Sequence, residues 1–484
     1  MSTSSILQRF QMIVRRFPER AAVLDTHQVI TYAELERRAA SVAHRIAERC
    51  TGPTIGLLYS NRPEFAPLLL GAMWAGKTVT VLPTPAPPQL LKLMCHETGV
   101  GLVMTSEEFV PNVVAAGVPC WIGDTSPEFD PGDVPQQSRV REAAVLLYTS
   151  GTTGRPKAVA LSEANILANC EGLRNATGYD SNAVMLAALP LFHAYGLTVT
   201  TLLPLTTGAI VVVPERFVPR QVLQLIEKHR VTCLIAVPGQ FRVLLKEPTR
   251  IDASSLWLCI AGAERLPEHI AVEFRERFGH RLLQGYGTTE LSPVITFSPP
   301  NDYTDGSVGR PLPNIKITIR GEDDEILPTG QIGEVCVAGP SVMMGYLGDQ
   351  NATACKIRDG VLHTSDKGYL DKDGFLFLVG RADDLVKISG EKVYPSEVEN
   401  ALETIDGVEE AAVIAVPDVK HGSRLHAFVQ LLPGTTMTDV ELRSACRGMM
   451  EHYKIPRSFS FVEQMPRTIT GKTDKRALAT SAAG

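Results

Sequence analysis

The sequence predicts an α/β protein. A large N-terminal domain with doubly wound sheets and a small β-barrel-like unit precedes a small α+β C-terminal domain on a hinge. From Thr31 to Gln284, short β-branched runs alternate with helical periodicity, which is typical of parallel sheets covered by helices. After about residue 305, strands follow one another with Gly and Asp turns, and a compact α+β stretch begins near 383. The predicted domains are therefore 1–380 and 381–484.

The elements of the N-terminal part are predicted from local signals. Thr31 and Glu34 have the spacing of a capping box, which predicts a helix that extends to about Arg49. Pro63 suits the first turn of a later helix. Strands are predicted at 54–58, 78–82, 209–213, 231–236, 256–260 and 281–284.

The C-terminal third has a different order of elements. Strands are predicted at 314–320, 332–338 and 375–379, and then a helix at 395–404, strands at 409–416 and 424–431, and a helix at 438–451. The junction at 380–383 contains Gly380 and charged residues but no long flexible tract. It therefore predicts a short hinge rather than an extended linker.

The composition excludes several classes of protein. Apolar residues make up 44% and charged residues 21% of the 484 residues, a balance typical of globular proteins and not of disordered chains. The net charge of -6 is unlike that of a polybasic nucleic-acid binder. Nine scattered cysteines without a CxxC pair predict neither a disulfide framework nor a zinc knuckle, and favour a reducing, cytoplasmic location.

One uncharged segment, 194–214, has the length of a membrane span. It contains Pro204, Gly208 and five threonines, a composition that favours a buried helix, a turn and a strand. We therefore expect no integral membrane segment.

The segment 148–157 has the strongest chemical signal. Directly after an apolar run it carries four hydroxyls, two glycines and a lysine: Thr149, Ser150, Gly151, Thr152, Thr153, Gly154 and Lys157. Glycines let backbone N–H groups approach an anion, hydroxyls donate hydrogen bonds, and lysine adds positive charge. This composition predicts a phosphate-binding loop, although the spacing is not that of a Walker A loop.

The loop resembles the phosphate loop of the adenylate-forming superfamily, which includes acyl-CoA synthetases, acyl–carrier-protein synthetases, luciferases and peptide-synthetase adenylation domains. Further segments match in the family's order at 189–197, 285–290, 364–369 with 380–387, and 470–472. Ala158 and Ser365 stand where the family usually has glycine, and neither change removes a functional group. The closest likeness is to acyl-CoA synthetases and bacterial acyl–carrier-protein synthetases.

The resemblance implies attack of a carboxylate on the α-phosphate of ATP, with Mg²⁺-pyrophosphate leaving. Catalysis of such a step rests on positioning and electrostatic stabilisation. By resemblance the catalytic residues are Lys472, Thr289, Glu290 and His193, with Glu290 also the ligand of Mg²⁺. The same likeness implies a nucleotide site formed by the loop residues above together with Gly262, Ala263, Glu264, Gly285, Tyr286, Gly287, Thr288, Asp366, Arg381 and Lys387. It also makes Asp383 the hinge residue.

The acid substrate is predicted from the residues around His193. Amino-acid-activating relatives carry an aspartate here, whereas 192–195 reads Phe-His-Ala-Tyr. The other candidate pocket residues are Leu197, Val237, Ile260, Ala261 and Leu291. Burial of an unpaired ammonium among apolar side chains is costly, which favours a fatty acid or another non-amino carboxylic acid.

The second half-reaction needs a thiol acceptor, and both CoA and a holo acyl carrier protein present the same phosphopantetheine thiol. Two other activities stay open on the same scaffold: a stand-alone enzyme of a biosynthetic pathway that adenylates aryl or other acids, and a luciferase-like monooxygenase. A nucleotide sensor without catalysis is disfavoured because Lys157, Glu290, Asp366 and Lys472 are all present.

Overall fold

The computed structural model describes residues 5–134, 142–149, 156–299, 301–388, 391–418, 422–467 and 473–482. The helices are α1 (Ile6–Arg16), α2 (Tyr32–Arg49), α3 (Phe65–Trp74), α4 (Pro88–Thr98), α5 (Val110–Ala115), α6 (Glu163–Thr177), α7 (Leu203–Thr207), α8 (Pro219–Lys228), α9 (Pro238–Lys246), α10 (Glu268–Phe278), α11 (Gln350–Lys356), α12 (Pro395–Glu403), α13 (Asp439–Arg447) and α14 (Lys475–Ala482).

The strands are β1 (Ala21–Leu24), β2 (Val29–Thr31), β3 (Thr54–Leu58), β4 (Thr78–Val81), β5 (Val100–Thr105), β6 (Cys120–Ile122), β7 (Val145–Thr149), β8 (Lys157–Leu161), β9 (Val184–Leu186), β10 (Ile210–Val212), β11 (Cys233–Ala236), β12 (Leu258–Ala261), β13 (Leu282–Gly287), β14 (Val294–Phe297), β15 (Arg310–Pro311), β16 (Lys316–Arg320), β17 (Gly333–Ala338), β18 (Gly345–Tyr346), β19 (Ile357–Arg358), β20 (Val361–Leu370), β21 (Leu376–Arg381), β22 (Val386–Ile388), β23 (Glu391–Val393), β24 (Val408–Asp418), β25 (Gly422–Leu431) and β26 (Ser458–Phe461).

Two large sheets form most of the N-terminal part. The first has nine strands in the order β15-β14-β13-β12-β11-β9-β10-β1-β2, and its central strands are parallel. The second has seven strands in the order β18-β8-β7-β4-β3-β5-β6, again with a parallel centre. Their strands read as near-continuous apolar runs because both faces are covered. These sheets confirm the predicted α/β class.

The later strands form smaller sheets. Strands β16, β17, β20, β19 and β21 form an antiparallel five-stranded sheet. Strands β24, β25 and β26 form a three-stranded sheet with its own core, which includes Val398, Leu402, Val413 and Leu442 from the flanking helices and strands. The predicted domain boundary at 380/381 stays a prediction.

Local sequence signals account for several element boundaries. The Thr31 side chain accepts a hydrogen bond from the backbone N–H of Glu34, so α2 begins where the capping signal predicts. The Glu34 carboxylate does not return to the cap and instead pairs with Arg37 and Arg38. The helix predicted at 438–451 is shorter in the structure, where α13 ends at Arg447.

The uncharged segment 194–214 adopts the predicted sequence of elements. A π-helical stretch, Tyr195–Leu202, continues into α7, and Gly208 ends that helix with φ +94° before β10 begins. None of the helices in the described residues combines the length and apolar character needed to cross a membrane.

Asn169 of α6 fixes this helix to the end of the first sheet. It is fully buried, its side-chain nitrogen donates to the carbonyls of Leu291 and Val294, and its oxygen accepts from the Val294 N–H. One amide therefore satisfies three backbone groups of the segment that follows Glu290. Because buried polar groups need such partners, Asn169 determines where that segment lies.

We expect Asn169→Leu to lower the free energy of unfolding by roughly 2–4 kcal/mol, because it leaves buried backbone groups of 291–294 without partners. Urea denaturation followed by tryptophan fluorescence measures the change. The matched control is Asn182→Leu at an exposed position, which should change stability by less than about 0.5 kcal/mol. Equal effects of the two substitutions would contradict the role of Asn169.

Candidate active site

A cavity of about 1280 Å³ lies where both large sheets, the antiparallel sheet and the C-terminal segment meet. Thr473 and Asp474 contribute to its wall from the C-terminal side. Sixteen residues predicted from the sequence line it: Thr149, Lys157, His193, Val237, Ile260, Gly262, Ala263, Glu264, Gly285, Tyr286, Gly287, Thr288, Thr289, Glu290, Asp366 and Arg381. Residues far apart in the sequence therefore meet in one place.

Some predicted residues lie outside the described part of the chain: Ser150, Gly151, Thr152, Thr153, Gly154 and Lys472. Thr149 and Lys157 are nevertheless paired across β7 and β8, and both line the cavity. The backbone of Asp383 belongs to the short 3₁₀ turn Ala382–Asp384, directly after β21.

Four other predicted residues do not reach the cavity wall. Lys387 is exposed on β22, and Leu197 and Leu291 are fully buried in the main core. Ala261 packs into the core on the opposite face of the first sheet from Ile260. For Ala261 the physical reason is the alternation of side chains along a strand, which puts neighbours on opposite faces.

The turn after β13 carries a hydroxyl group that has no hydrogen-bond partner among the described residues. Gly287 lies so close to Pro293 that an added Cβ would be 2.2 Å from its carbonyl oxygen, so only glycine fits there. The Thr288 N–H donates to the same carbonyl at 2.9 Å. Among the described residues, the buried Thr288 Oγ1 has no hydrogen-bond partner. A hydroxyl in this state fits a ligand oxygen in the cavity.

Glu290 is oriented by a residue that the sequence analysis missed. The Tyr346 hydroxyl donates to Glu290 Oε1 at 2.8 Å. Strand β18 pairs with β8 and so brings Tyr346 opposite Val159, in the middle of that strand, with Lys157 Nζ 5.1 Å from the centre of the tyrosine ring. Burial, followed by the charge of Glu290, raises the pKa of Tyr346, so the phenol stays protonated and donates.

Tyr346 has no sequence signal, since it stands in a strand of only two residues. Only the pairing of that strand with β8, almost two hundred residues earlier in the chain, brings it to the site. A hard carboxylate oxygen that faces the cavity and is held in place by a neutral donor suits the binding of Mg²⁺.

Asp366 is a buried carboxylate with two partners. It accepts from the Tyr286 hydroxyl at 2.5 Å and from Arg381 at 3.0 Å. The antiparallel pairing of β20 with β21 places Asp366 directly opposite Arg381. Burial raises the pKa of the Asp366 carboxyl, while Arg381 and the Tyr286 hydroxyl act in the opposite direction. The three residues thus form one polar group at the junction of two sheets.

Two non-glycine residues in left-handed backbone conformation border the cavity. Ser365 has φ +66° and Ala263 has φ +69°. This conformation explains why the resembling family usually has glycine at the position of Ser365, since glycine adopts it without a steric penalty. The serine hydroxyl makes a compensating contact here, because it accepts from Lys356 Nζ at 2.6 Å. Strained backbone of this kind is found frequently at functional sites.

The His193 side of the cavity is aromatic and closely packed. The centres of the Phe192 and His193 rings are 4.4 Å apart. Tyr195 lies against Gly262, where an added Cβ would be 2.5 Å from a ring carbon of the tyrosine. A side chain at 262 would therefore displace Tyr195.

Beyond His193 the wall is mostly apolar, with Thr177, Tyr179 and Thr296 as polar members, and most of its residues were not predicted. We call this set the apolar lining: Leu173, Met185, Val199, Leu203, Ile235, Leu258, Val294 and Phe297, all of which belong to the main core. They come from α6, the π-helical stretch, α7 and four different strands. The periodicity of the sequence does not show which buried residues line the cavity and which lie only in the core.

The comparisons with known proteins agree with this geometry. Residues 10–347 match the family described as AMP-binding enzyme, and residues 397–472 match the AMP-binding enzyme C-terminal domain. A feruloyl-CoA synthase from Amycolatopsis sp is 33% identical over 470 residues, which are 95% of each chain. A long-chain-fatty-acid–CoA ligase from Salmonella typhimurium is 29% identical, with 99% of this chain and 95% of the relative covered.

A solved structure has the same fold. The crystal structure of ATP-bound MatB from Rhodopseudomonas palustris matches with a TM-score of 0.90 and 28% identity over 99% of both chains. The resemblance stated from the sequence motifs is thereby confirmed. The chain belongs to the AMP-binding enzyme family, and it is an AMP-forming ligase whose reaction uses ATP, Mg²⁺ and a CoA acceptor.

Proposed function

We propose that this ligase activates an alkyl or aryl carboxylic acid that carries no amino group, and then transfers the acyl group to the thiol of CoA. The observation that carries the proposal is a single cavity with two kinds of wall. One wall has Thr288, Glu290 and Asp366, and the other consists of the apolar lining. A nucleotide and an apolar acyl group can therefore lie next to each other.

The polar wall supports the proposed nucleotide roles. Thr288 and Thr289 offer hydroxyls to phosphate oxygens, while Asp366 accepts hydrogen bonds from ribose hydroxyls with Arg381 beside it. Glu290, held by Tyr346, is the proposed ligand of Mg²⁺. When bound, the ion neutralises charge on the departing pyrophosphate. His193 is proposed to orient the substrate carboxylate.

The apolar lining supports the substrate class. Every member is uncharged, and burial of a substrate ammonium against it would carry an uncompensated cost. Feruloyl and long-chain fatty acyl groups, which appear in the names of two relatives, are both compatible with such a wall. An acyl carrier protein as an alternative acceptor and a cytoplasmic location stay part of the proposal. All nine cysteines are free thiols, in agreement with a reducing compartment.

A pyrophosphate-release screen tests the substrate class. The panel contains straight-chain fatty acids, cinnamic and benzoic acids and free α-amino acids, first alone and then with CoA or with holo acyl carrier protein. We expect turnover with alkyl or aryl acids and little with amino acids. An amino acid that exceeds every other acid by more than about tenfold would contradict the proposed apolar recognition.

Lys472 is proposed to neutralise charge at the α-phosphate during adenylation. We expect Lys472→Ala to slow acyl-adenylate formation by roughly 10²–10³-fold, the effect of losing one preorganised donor. Thioester formation from supplied acyl-adenylate should be affected far less. The control is Lys475→Ala, which removes a nearby lysine that pairs with Glu399. Equal losses in both half-reactions of Lys472→Ala would exclude this role.

Tyr346→Phe tests the orientation of Glu290. Without the hydroxyl the carboxylate loses its neutral donor, and we expect the Mg²⁺ concentration for half-maximal pyrophosphate release to rise about tenfold or more. Tyr369→Phe is the matched control, since the Tyr369 ring stacks on Phe377 and does not line the cavity. An unchanged Mg²⁺ requirement in Tyr346→Phe would show that the contact does not support metal binding.

A further inference from the structure

Two adjacent carboxylates at the start of β24 lie almost entirely away from water. Glu409 is 2% exposed and Glu410 is 6% exposed. Charged groups are rarely buried to this extent unless they are paired, because removal of a carboxylate from water is unfavourable. The residues that pair with these two carboxylates therefore indicate why the carboxylates are buried.

One set of partners comes from the N-terminal part of the chain. Arg242 of α9 donates to Glu410 through a terminal guanidinium nitrogen, and its Nε lies 3.7 Å from Glu409. Lys246, one turn further along the same helix, lies 2.5 Å from Glu409. Helix α9 begins directly after Val237, which lines the cavity. The glutamates are thus attached to a helix that begins next to the active-site wall.

The other set comes from the C-terminal end. Arg467 lies 2.5 Å from Glu410 Oε2, and the Thr473 hydroxyl donates to Glu410 Oε1 at 2.6 Å. Arg467 also donates to Thr473, and the two residues form a β-bridge. They stand immediately before and after 468–472, the segment that contains Lys472. Thr473 itself lines the cavity.

Glu410 therefore contacts both α9 and the two residues that flank 468–472. Burial raises the pKa of this carboxyl, but Arg242, Thr473 and Arg467 outweigh that effect and hold it below its usual range. The carboxylate consequently stays ionised. Loss of one cation leaves a buried charge only partly compensated, and such a loss is more costly than loss of an exposed pair.

We propose that Arg242 and Glu410 are positioning residues for acyl-adenylate formation, which hold Arg467 and Thr473, the residues that flank 468–472, beside the cavity. The proposal rests on the proposed role of Lys472 in adenylation. In the thioester step the thiol must instead reach the acyl carbonyl from outside, and this contact is not needed. The Arg242–Glu410 pair therefore contributes to one half-reaction and not to the other.

The test uses the full-length protein and measures the two half-reactions separately. Pyrophosphate exchange reports adenylation, and CoA thioester formation from supplied acyl-adenylate reports the second step. We expect Arg242→Gln to slow adenylation by about thirtyfold or more, the cost seen when a buried charge loses its partner. Thioester formation should stay within about threefold of the wild-type rate. Arg242→Lys should recover part of the lost adenylation, because the charge is retained but the forked geometry of the guanidinium is not.

Glu410→Gln and the double variant complete the cycle. Because both changes break the same contact, the double variant should be only slightly slower in adenylation than the poorer single variant. The matched control is Arg230→Gln, which removes an exposed arginine that pairs with Asp252 within the N-terminal part and should leave both rates unchanged. Circular dichroism and urea denaturation verify that each variant is folded.

Parallel decline of both half-reactions in Arg242→Gln, or strictly additive effects in the cycle, would overturn the proposal. If Glu410→Gln fails to fold, two measurements still test the proposal. They are the ratio of the two half-reaction rates in Arg242→Gln and the recovery of adenylation in Arg242→Lys. The screen of the wild-type protein settles the substrate proposal independently. The Lys472→Ala variant tests the proposed role of Lys472 by itself. If that role is wrong, the result can therefore be distinguished from an error in the proposed role of the Arg242–Glu410 contact.

Discussion

Pairing of buried carboxylates connects the parts of this protein that have to act together. Asp366 lies between Tyr286 of the first large sheet and Arg381 at the end of the antiparallel sheet. Glu410 lies between Arg242 of α9 and the C-terminal Arg467. In both places the carboxylate has little access to water, so partners from separate elements come together around it.

The same constraint gives the active site its form. The proposed nucleotide side is built from loops and strand ends whose polar groups are held by other polar groups, as Tyr346 holds Glu290. The proposed acyl side is lined by residues of the main core, which come from strands and helices. A low-polarity wall next to preorganised donors strengthens electrostatic stabilisation of charge that develops at the α-phosphate.

Two half-reactions in one cavity require the C-terminal part to serve different purposes in turn. Asp383 stands in a short turn directly after Arg381, and rotation there is the proposed way to exchange one arrangement for another. Contacts such as Arg242–Glu410 would then stabilise a single arrangement. They must be strong enough to orient the segment around Lys472 and yet reversible, because the same domain has to be released in each cycle.

The sequence by itself determined the α/β class, most strands of the parallel sheets, and the motifs around Lys157, Glu290 and Asp366, because these depend on local periodicity and on residues adjacent in the chain. It left open which strand residues face the cavity, as Ile260 and Ala261 illustrate. Only the tertiary structure placed Tyr346 beside Glu290, Asn169 behind the turn that follows it, and Arg242 beside Glu410. The physical reason is that these contacts join residues separated by 56 to 168 positions, and no local propensity specifies partners at such separations.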